Sequence, residues 1–187
     1  MIELNKIIGE IYNISPYEIK YRNKTEFKSE YTDLYGEITQ QATNELVNHF
    51  KEQFNEDSVF YDLGCGLGKM VVHIGLQYNV KKSCGIELSK ERMICARHIK
   101  ETYCKDNTNI SFIEGDVFDN DLSDATVIYV DNTAFPNELT TKIIDTIPKG
   151  CLFICRRKPI GFEVQEMVGE KFVTTYGKKN IIYLIKE

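Results

Sequence analysis

Three glycines at alternate positions, Asp62-x-Gly64-x-Gly66-x-Gly68, stand between a short apolar run, Ser58 to Leu63, and an amphipathic stretch from Met70 to Tyr78. A glycine loop that leaves a strand and opens a helix restricts the chain to an α/β fold. Its backbone can approach a ligand closely, and the helix N-terminus favours negative charge there. The spacing excludes a dinucleotide fingerprint, because the third glycine of G-x-G-x-x-G would fall at Lys69. It also excludes a phosphate-cradling P-loop.

From about Glu56 onward, short apolar runs alternate with amphipathic stretches, the rhythm of a parallel sheet covered by helices. Strands are predicted over 58–63, 83–88, 110–113, 125–130 and 151–155. Ser89 is a good N-cap, with Glu91 and Arg92 in the first turn of a helix that runs to Cys104. A second helix begins at Pro136, carries Leu139, Ile143 and Ile147 on one face, and stops at Pro148 and Gly150. The runs Lys171 to Tyr176 and Asn180 to Lys186, joined by Gly177-Lys178-Lys179, predict an antiparallel pair closing the sheet edge. Ahead of the glycine loop, Leu46, Val47, Phe50 and Phe54 form the apolar stripe of a helix over 39–54. Leu4, Ile7, Ile8 and Ile11 have helical spacing in the first thirty residues. These patterns divide the chain into an N-terminal helical segment and lid, 1–55, and a core, 56–187.

The loop is too short to wrap a pyrophosphate, and it is flanked by acids. Asp62 stands at its entry, suited to a cationic amino group. Glu87, at the end of the next strand, is placed to accept hydrogen bonds from a ribose diol. Asp116, past the third strand, can accept from an adenine amine while Val117 packs on the ring. Acceptors for an ammonium, a ribose and an adenine in series describe S-adenosyl-L-methionine.

The 187 residues, 42% hydrophobic and 27% charged, describe a soluble globular chain. The net charge of −5 excludes a protein that binds nucleic acid strongly by bulk positive field, although 151–187 is locally basic. No apolar run approaches the ~20 residues of a membrane span, and Met1 to Lys6 mixes charge with hydrophobes. The expectation is an intracellular protein, cytoplasmic or nuclear, without membrane contact. Cys65, Cys84, Cys95, Cys104, Cys151 and Cys155 match no zinc spacing and read as small buried hydrophobes. His49, His73 and His98 show no ligand spacing, so no metal site is expected.

The stretch Asp62-Leu63-Gly64-Cys65-Gly66-Leu67-Gly68 resembles the first motif of class I, seven-β-strand S-adenosylmethionine-dependent methyltransferases. Leu34-Tyr35-Gly36-Glu37 and Val130-Asp131-Asn132-Thr133-Ala134-Phe135 narrow the resemblance to the non-SET histone-lysine methyltransferases of the disruptor-of-telomeric-silencing family. The likeness runs from about Tyr31 to Leu184 and includes Lys158-Pro159. It implies a Rossmann-like seven-stranded sheet with helices on both faces and a C-terminal antiparallel hairpin. It also implies a protein-lysine N-methyltransferase acting on an exposed lysine, with histones or nucleosomes as candidate substrates.

Carried over position by position, Leu34, Tyr35 and Glu37 fold over the cofactor's methionine end. Gly64, Gly66, Asp62, Glu87, Asp116 and Val117 hold the rest. Asn132 stands beside the transferred methyl group and also touches the cofactor, while Tyr31, Tyr35, Phe135 and Tyr183 are candidates for the wall of the lysine channel. Five places depart from the family pattern, one of them Val117, which replaces a phenylalanine that stacks near adenine. Lys69 replaces a glutamine and could pair with the methionine carboxylate, Asp131 replaces an asparagine, Thr133 replaces an aromatic residue, and Ile182-Tyr183 replaces a Tyr-Tyr pair. Strand alternation puts Ile182 and Tyr183 on opposite faces. Two other readings stay open: a nucleic-acid or small-molecule N-methyltransferase, and a cofactor-binding partner subunit without transfer activity. Arg156-Arg157-Lys158 and Lys178-Lys179 are either solvated charge or the rim of a substrate mouth. The chain length leaves no room for a long basic extension, so targeting is expected to rest on the catalytic face or on a partner.

Overall fold

The computed structural model describes residues 2–15, 36–167 and 172–187. Its centre is β1 (Val59–Leu63), flanked by β2 (Lys82–Glu87) and then β3 (Ile110–Glu114) on one side. On the other side lie β4 (Val127–Val130) and β5 (Leu152–Cys155), and all five strands are parallel. Such strands are covered on both faces, which is why β4 and β5 read as unbroken apolar runs and β1 is broken only by Asp62. Helices α1 (Ile2–Asn13), α2 (Gln40–His49), α3 (Lys69–Gln77) and α4 (Lys90–Cys104) cover one face, and α5 (Asn137–Thr146) covers the other. Within β1, Phe60 faces the first layer, while Val59, Tyr61 and Leu63 face the second.

Local signals place most boundaries. Thr39 accepts from the Ala42 amide and caps α2, and Ser89 caps α4 as its sequence position predicts. The helix expected over 39–54 ends at His49, and the chain continues in turns that still bury Phe50 and Phe54. All six cysteines are buried and unpaired, in line with their reading as small hydrophobes. Burial pushes the Cys151 and Cys155 thiols up to about 12.

The C-terminal end departs from the expected pairing. The turn falls at Thr175-Tyr176, so β7 (Phe172–Thr174) pairs with β8 (Gly177–Lys179) as a separate two-stranded sheet. Gly177, at φ +117°, leaves the turn in a conformation that disfavours a side chain, and the Thr174 hydroxyl donates to its carbonyl. The last strand, β9 (Ile182–Ile185), instead runs antiparallel to β5. Its outer edge carries β6 (Gln165–Glu166), giving the order β3-β2-β1-β4-β5-β9-β6. The short, polar β6 had no hydrophobic signal to reveal it.

Candidate active site

Strand order reverses between β1 and β4, and the crevice at the carboxyl ends of such strands is where open α/β sheets bind ligands. A cleft of about 450 Å³ opens there, within the usual size of a small-molecule site. The glycine loop forms its floor. Gly64 and Cys65 donate their amides to the Ile86 carbonyl, at 2.8 and 3.1 Å, which folds the loop against β2. Gly64 sits at φ +81°, and a Cβ added there would approach the Phe135 ring at 3.4 Å.

The carboxylates follow one another along the strand ends. Glu87, 5% exposed, accepts from the Gly66 amide at 2.9 Å through one oxygen and from the Ser89 amide at 2.8 Å through the other. Its remaining lone pairs are available to a diol. Asp62 is 6% exposed, and burial, with Glu87 and Asp131 nearby, raises its carboxyl to about 8. The Asp116 carboxylate accepts from the Phe118 amide at 3.0 Å, and Asp116 and Val117 both line the cleft. These residues fit S-adenosylmethionine: an acid for its ammonium, one for its ribose, and an acceptor beside an apolar contact for its adenine.

The far end is built from β4, the hairpin and the 36–38 segment. Asp131 accepts from the Thr133 amide at 3.2 Å, from the Thr133 hydroxyl at 2.6 Å and from the Tyr176 hydroxyl. Glu37 and Thr175 exchange two hydrogen bonds of 2.9 Å, and Ile38 bridges to Thr174. Glu37 also pairs with Lys69 at 2.8 Å. The Lys69 ammonium, 4% exposed, additionally donates to the Ile14 carbonyl at 2.6 Å, just past α1. It is therefore held by Glu37 and the α1 end, and is not the free cation expected for a methionine carboxylate.

Glu37, Asp62, Gly64, Gly66, Lys69, Glu87, Asp116, Val117 and Phe135 all line the cleft. Leu34, Tyr35 and Tyr31 lie outside the described residues. Asn132 and Tyr183 are not brought to the cleft. Asn132, 3% exposed, accepts from the Arg156 and Arg157 amides at 3.0 and 2.7 Å, and donates to the Arg157 carbonyl at 2.9 Å and the Thr140 hydroxyl at 3.3 Å. Its amide is thus fully occupied in tying β4 to β5 and α5. Tyr183 packs edge-on against Phe50, with ring centroids 4.9 Å apart, and donates to Gln165 at 2.6 Å. Alternation holds as expected: Ile182 packs in the α5 layer and Tyr183 in the α2 layer.

The sequence reading missed Asp131, Tyr129 and Tyr176 as cleft residues. For Asp131 a signal existed, because it is the first residue past β4, at the carboxyl edge of the parallel strands. The basic cluster after β5 does not form a rim. Arg156 is buried, and Arg157 donates to the Thr133 and Phe135 carbonyls at 3.1 and 3.2 Å and to Asn137 at 3.0 Å, stapling the loop before α5.

Comparison with known proteins agrees with this geometry. The family described as "Histone methylation protein DOT1" matches residues 13–174. A protein-lysine N-methyltransferase of Saccharolobus islandicus (strain REY15A) is 34% identical over 79 residues, covering 40% of this chain. The match spans 45% of that relative, just under half its length. Among solved structures, an RNA methyltransferase from Salinibacter ruber in complex with S-adenosyl-L-homocysteine superposes with a TM-score of 0.62 at 18% identity, covering 79% of this chain and 91% of that one. A precorrin-6y C5,15-methyltransferase from Geobacter metallireducens GS-15 gives 0.59 at 13%, covering 80% and 89%. At such identities the likeness concerns the fold.

Proposed function

This chain belongs to the DOT1 histone methylation family, and from that premise we propose that it is an S-adenosyl-L-methionine-dependent methyltransferase that methylates the ε-amine of protein lysines. The observation that carries the reading is the row of acids Asp62, Glu87 and Asp116 along one cleft, ending in Asp131 among Tyr129, Phe135 and Tyr176. The first three suit the cofactor. The last group suits a cation on an aliphatic stem.

When bound, the cofactor supplies an electrophilic methyl group on a sulfonium. The chain's own task is to hold the amine in line with it and uncharged. Asp131 attracts the incoming lysine ammonium, and the hydrogen bonds from Thr133 and Tyr176 fix its carboxylate. Free lysine has a pKa of ~10.4. The Asp131 carboxylate favours the charged form, so desolvation among the aromatic side chains and the cofactor's positive charge are what lower it, and the proton leaves to solvent before the neutral amine attacks. Asp131 thereby takes over the role that the family resemblance implies for Asn132. Leu34 and Tyr35 remain proposed lid residues over the methionine end.

Histones and nucleosomes are the proposed substrates on the strength of the family. The described residues contain no helix long and apolar enough to cross a membrane. Incubation with labelled cofactor and histones, nucleosomes, whole-cell protein and RNA tests the assignment. Label in protein, released as methyl-lysine on hydrolysis, is the expected result. Label confined to RNA or small molecules would reject it.

A further inference from the structure

Every residue of the segment 131–136, which leads from β4 to α5, lines the cleft except Asn132. A connecting segment at the end of a sheet is by default among the more mobile parts of a fold. This one also enters α5 without a cap of its own, because Pro136 at the helix start makes no side-chain hydrogen bond. Phe135 nevertheless reaches over the glycine loop, where a Cβ added at Gly64 would meet its ring at 3.4 Å. The hold on this segment comes from a neighbouring strand end.

Arg157, just past β5, donates from Nη1 to the Thr133 carbonyl at 3.1 Å and the Phe135 carbonyl at 3.2 Å, and from Nη2 to the Asn137 side-chain oxygen at 3.0 Å. A guanidinium is a rigid planar fork, so three acceptors bound to one fork keep fixed positions relative to each other. From Thr133 the constraint passes to the acid, because the Thr133 amide and hydroxyl donate to Asp131 at 3.2 and 2.6 Å. The fork is itself anchored. Asn132 accepts from the Arg157 amide at 2.7 Å and donates to the Arg157 carbonyl at 2.9 Å. The Arg157 side chain is exposed, and hydrogen bonds made beside water contribute little to global stability. Their effect is to select one geometry for the loop.

We infer that Arg157 is a positioning residue for methyl transfer: through Thr133 and the loop carbonyls it sets Asp131 and Phe135 in the places from which they orient the acceptor lysine. The inference rests on the acceptor end proposed above. An in-line displacement tolerates little error in the position of the amine, and a misplacement of about 1 Å can cost ~100-fold in rate. Arg157 therefore governs turnover rather than cofactor affinity. Asp62, Glu87 and Asp116 stand on β1, at the end of β2 and past β3, away from the loop that the fork holds.

The test follows labelled methyl transfer into methyl-lysine, with core histones and whole-cell protein as acceptors. Arg157→Ala should lower kcat about tenfold, leave S-adenosylhomocysteine affinity within about twofold, and barely move the urea midpoint. Arg157→Lys keeps the charge without the fork and should recover only part of the loss. In an Asp131→Ala background, Arg157→Ala should cost less than about threefold, because the carboxylate it positions is gone. Hydrogen exchange of the ligand-free chain reads the loop without any acceptor. The Thr133 and Phe135 amides should exchange about tenfold faster in Arg157→Ala, and those of β4 and β5 within about twofold of wild type. Unchanged exchange at Thr133 and Phe135, or an unchanged kcat, would overturn the positioning role alone. So would a fall in kcat that tracks a matching fall in stability, or a full tenfold loss in the Asp131→Ala background. Absence of methyl-lysine from the wild-type reaction would overturn the lysine reading and the positioning role together.

Discussion

The Tyr176 hydroxyl, at the tip of the β7–β8 hairpin, donates a hydrogen bond to the Asp131 carboxylate at the end of β4, 45 residues away in the chain. The bond joins the proposed substrate end of the cleft to a hairpin that also holds the 36–38 segment through Thr174 and Thr175. Asp131→Ala should therefore lower kcat/KM for a lysine peptide about 100-fold, and Tyr176→Phe about tenfold. Affinity for S-adenosylhomocysteine should change less than about threefold in either. Steady-state methyl transfer and calorimetry separate the two effects, and an unaltered kcat/KM in Asp131→Ala would place the acceptor amine elsewhere.

Asp62 links cofactor binding to pH. Its carboxyl titrates near 8 in the ligand-free protein, raised by burial and by Glu87 and Asp131, whereas an unfolded Asp titrates near ~3.9. The folded state thus retains a proton that the unfolded chain has released. This contribution to stability is complete below pH ~4 and disappears as pH rises through about 8. A cationic α-ammonium displaces that proton, so S-adenosylhomocysteine affinity should climb with pH, by up to tenfold per unit, until about pH 8. Calorimetry from about pH 6 to 8 measures the slope, which Asp62→Asn should abolish. A flat wild-type profile would argue against an ammonium at Asp62.

Asn132→Ala should act on stability before chemistry. It removes four hydrogen bonds and leaves the buried amide of Arg156 without an acceptor. A loss of about 2–4 kcal/mol is expected in urea unfolding. The fraction that stays folded should bind S-adenosylhomocysteine with near wild-type affinity. Full stability with abolished turnover would restore Asn132 to the reaction itself.

Lys69 and Glu37 are a buried ion pair, with side chains 4% and 12% exposed. Lys69→Met should destabilise the chain by about 3 kcal/mol, because it removes the ammonium that binds both the Glu37 carboxylate and the carbonyl that follows α1. Replacing both residues by apolar ones should recover much of that loss. Denaturant melts of the single and double variants give the coupling directly; additive losses would mean that the pair is not coupled.

Much of the architecture was legible because it rests on local chemistry. Ser89 caps α4 with its own side chain, and the apolar runs at β1, β4 and β5 need covering layers whatever surrounds them. Glu87 and Asp116 were readable as cleft acids because each ends or follows a strand with a clear terminus. The edge of the sheet was less legible. Gln165–Glu166 becomes a strand only because β9 presents it with a free edge, and two exposed polar residues carry no periodicity.

By itself the sequence determined the α/β class, the glycine loop and the order of acids along the strand ends, all of which follow from residue types at short separations. Tertiary structure decided which side of the sheet each end residue faces. Tyr129 and Asp131 face the cleft, while Asn132, one position on, turns to Thr140 of α5. A single step along a strand reverses a side chain, so the choice between Asp131 and Asn132 depended on where β4 leaves the sheet. Tertiary structure alone also brought Tyr176 to Asp131, and it buried the Arg156 guanidinium and the Tyr129 hydroxyl without hydrogen-bond partners. These relationships join strands and loops separated by tens of residues, and only the closed fold sets the distances between them.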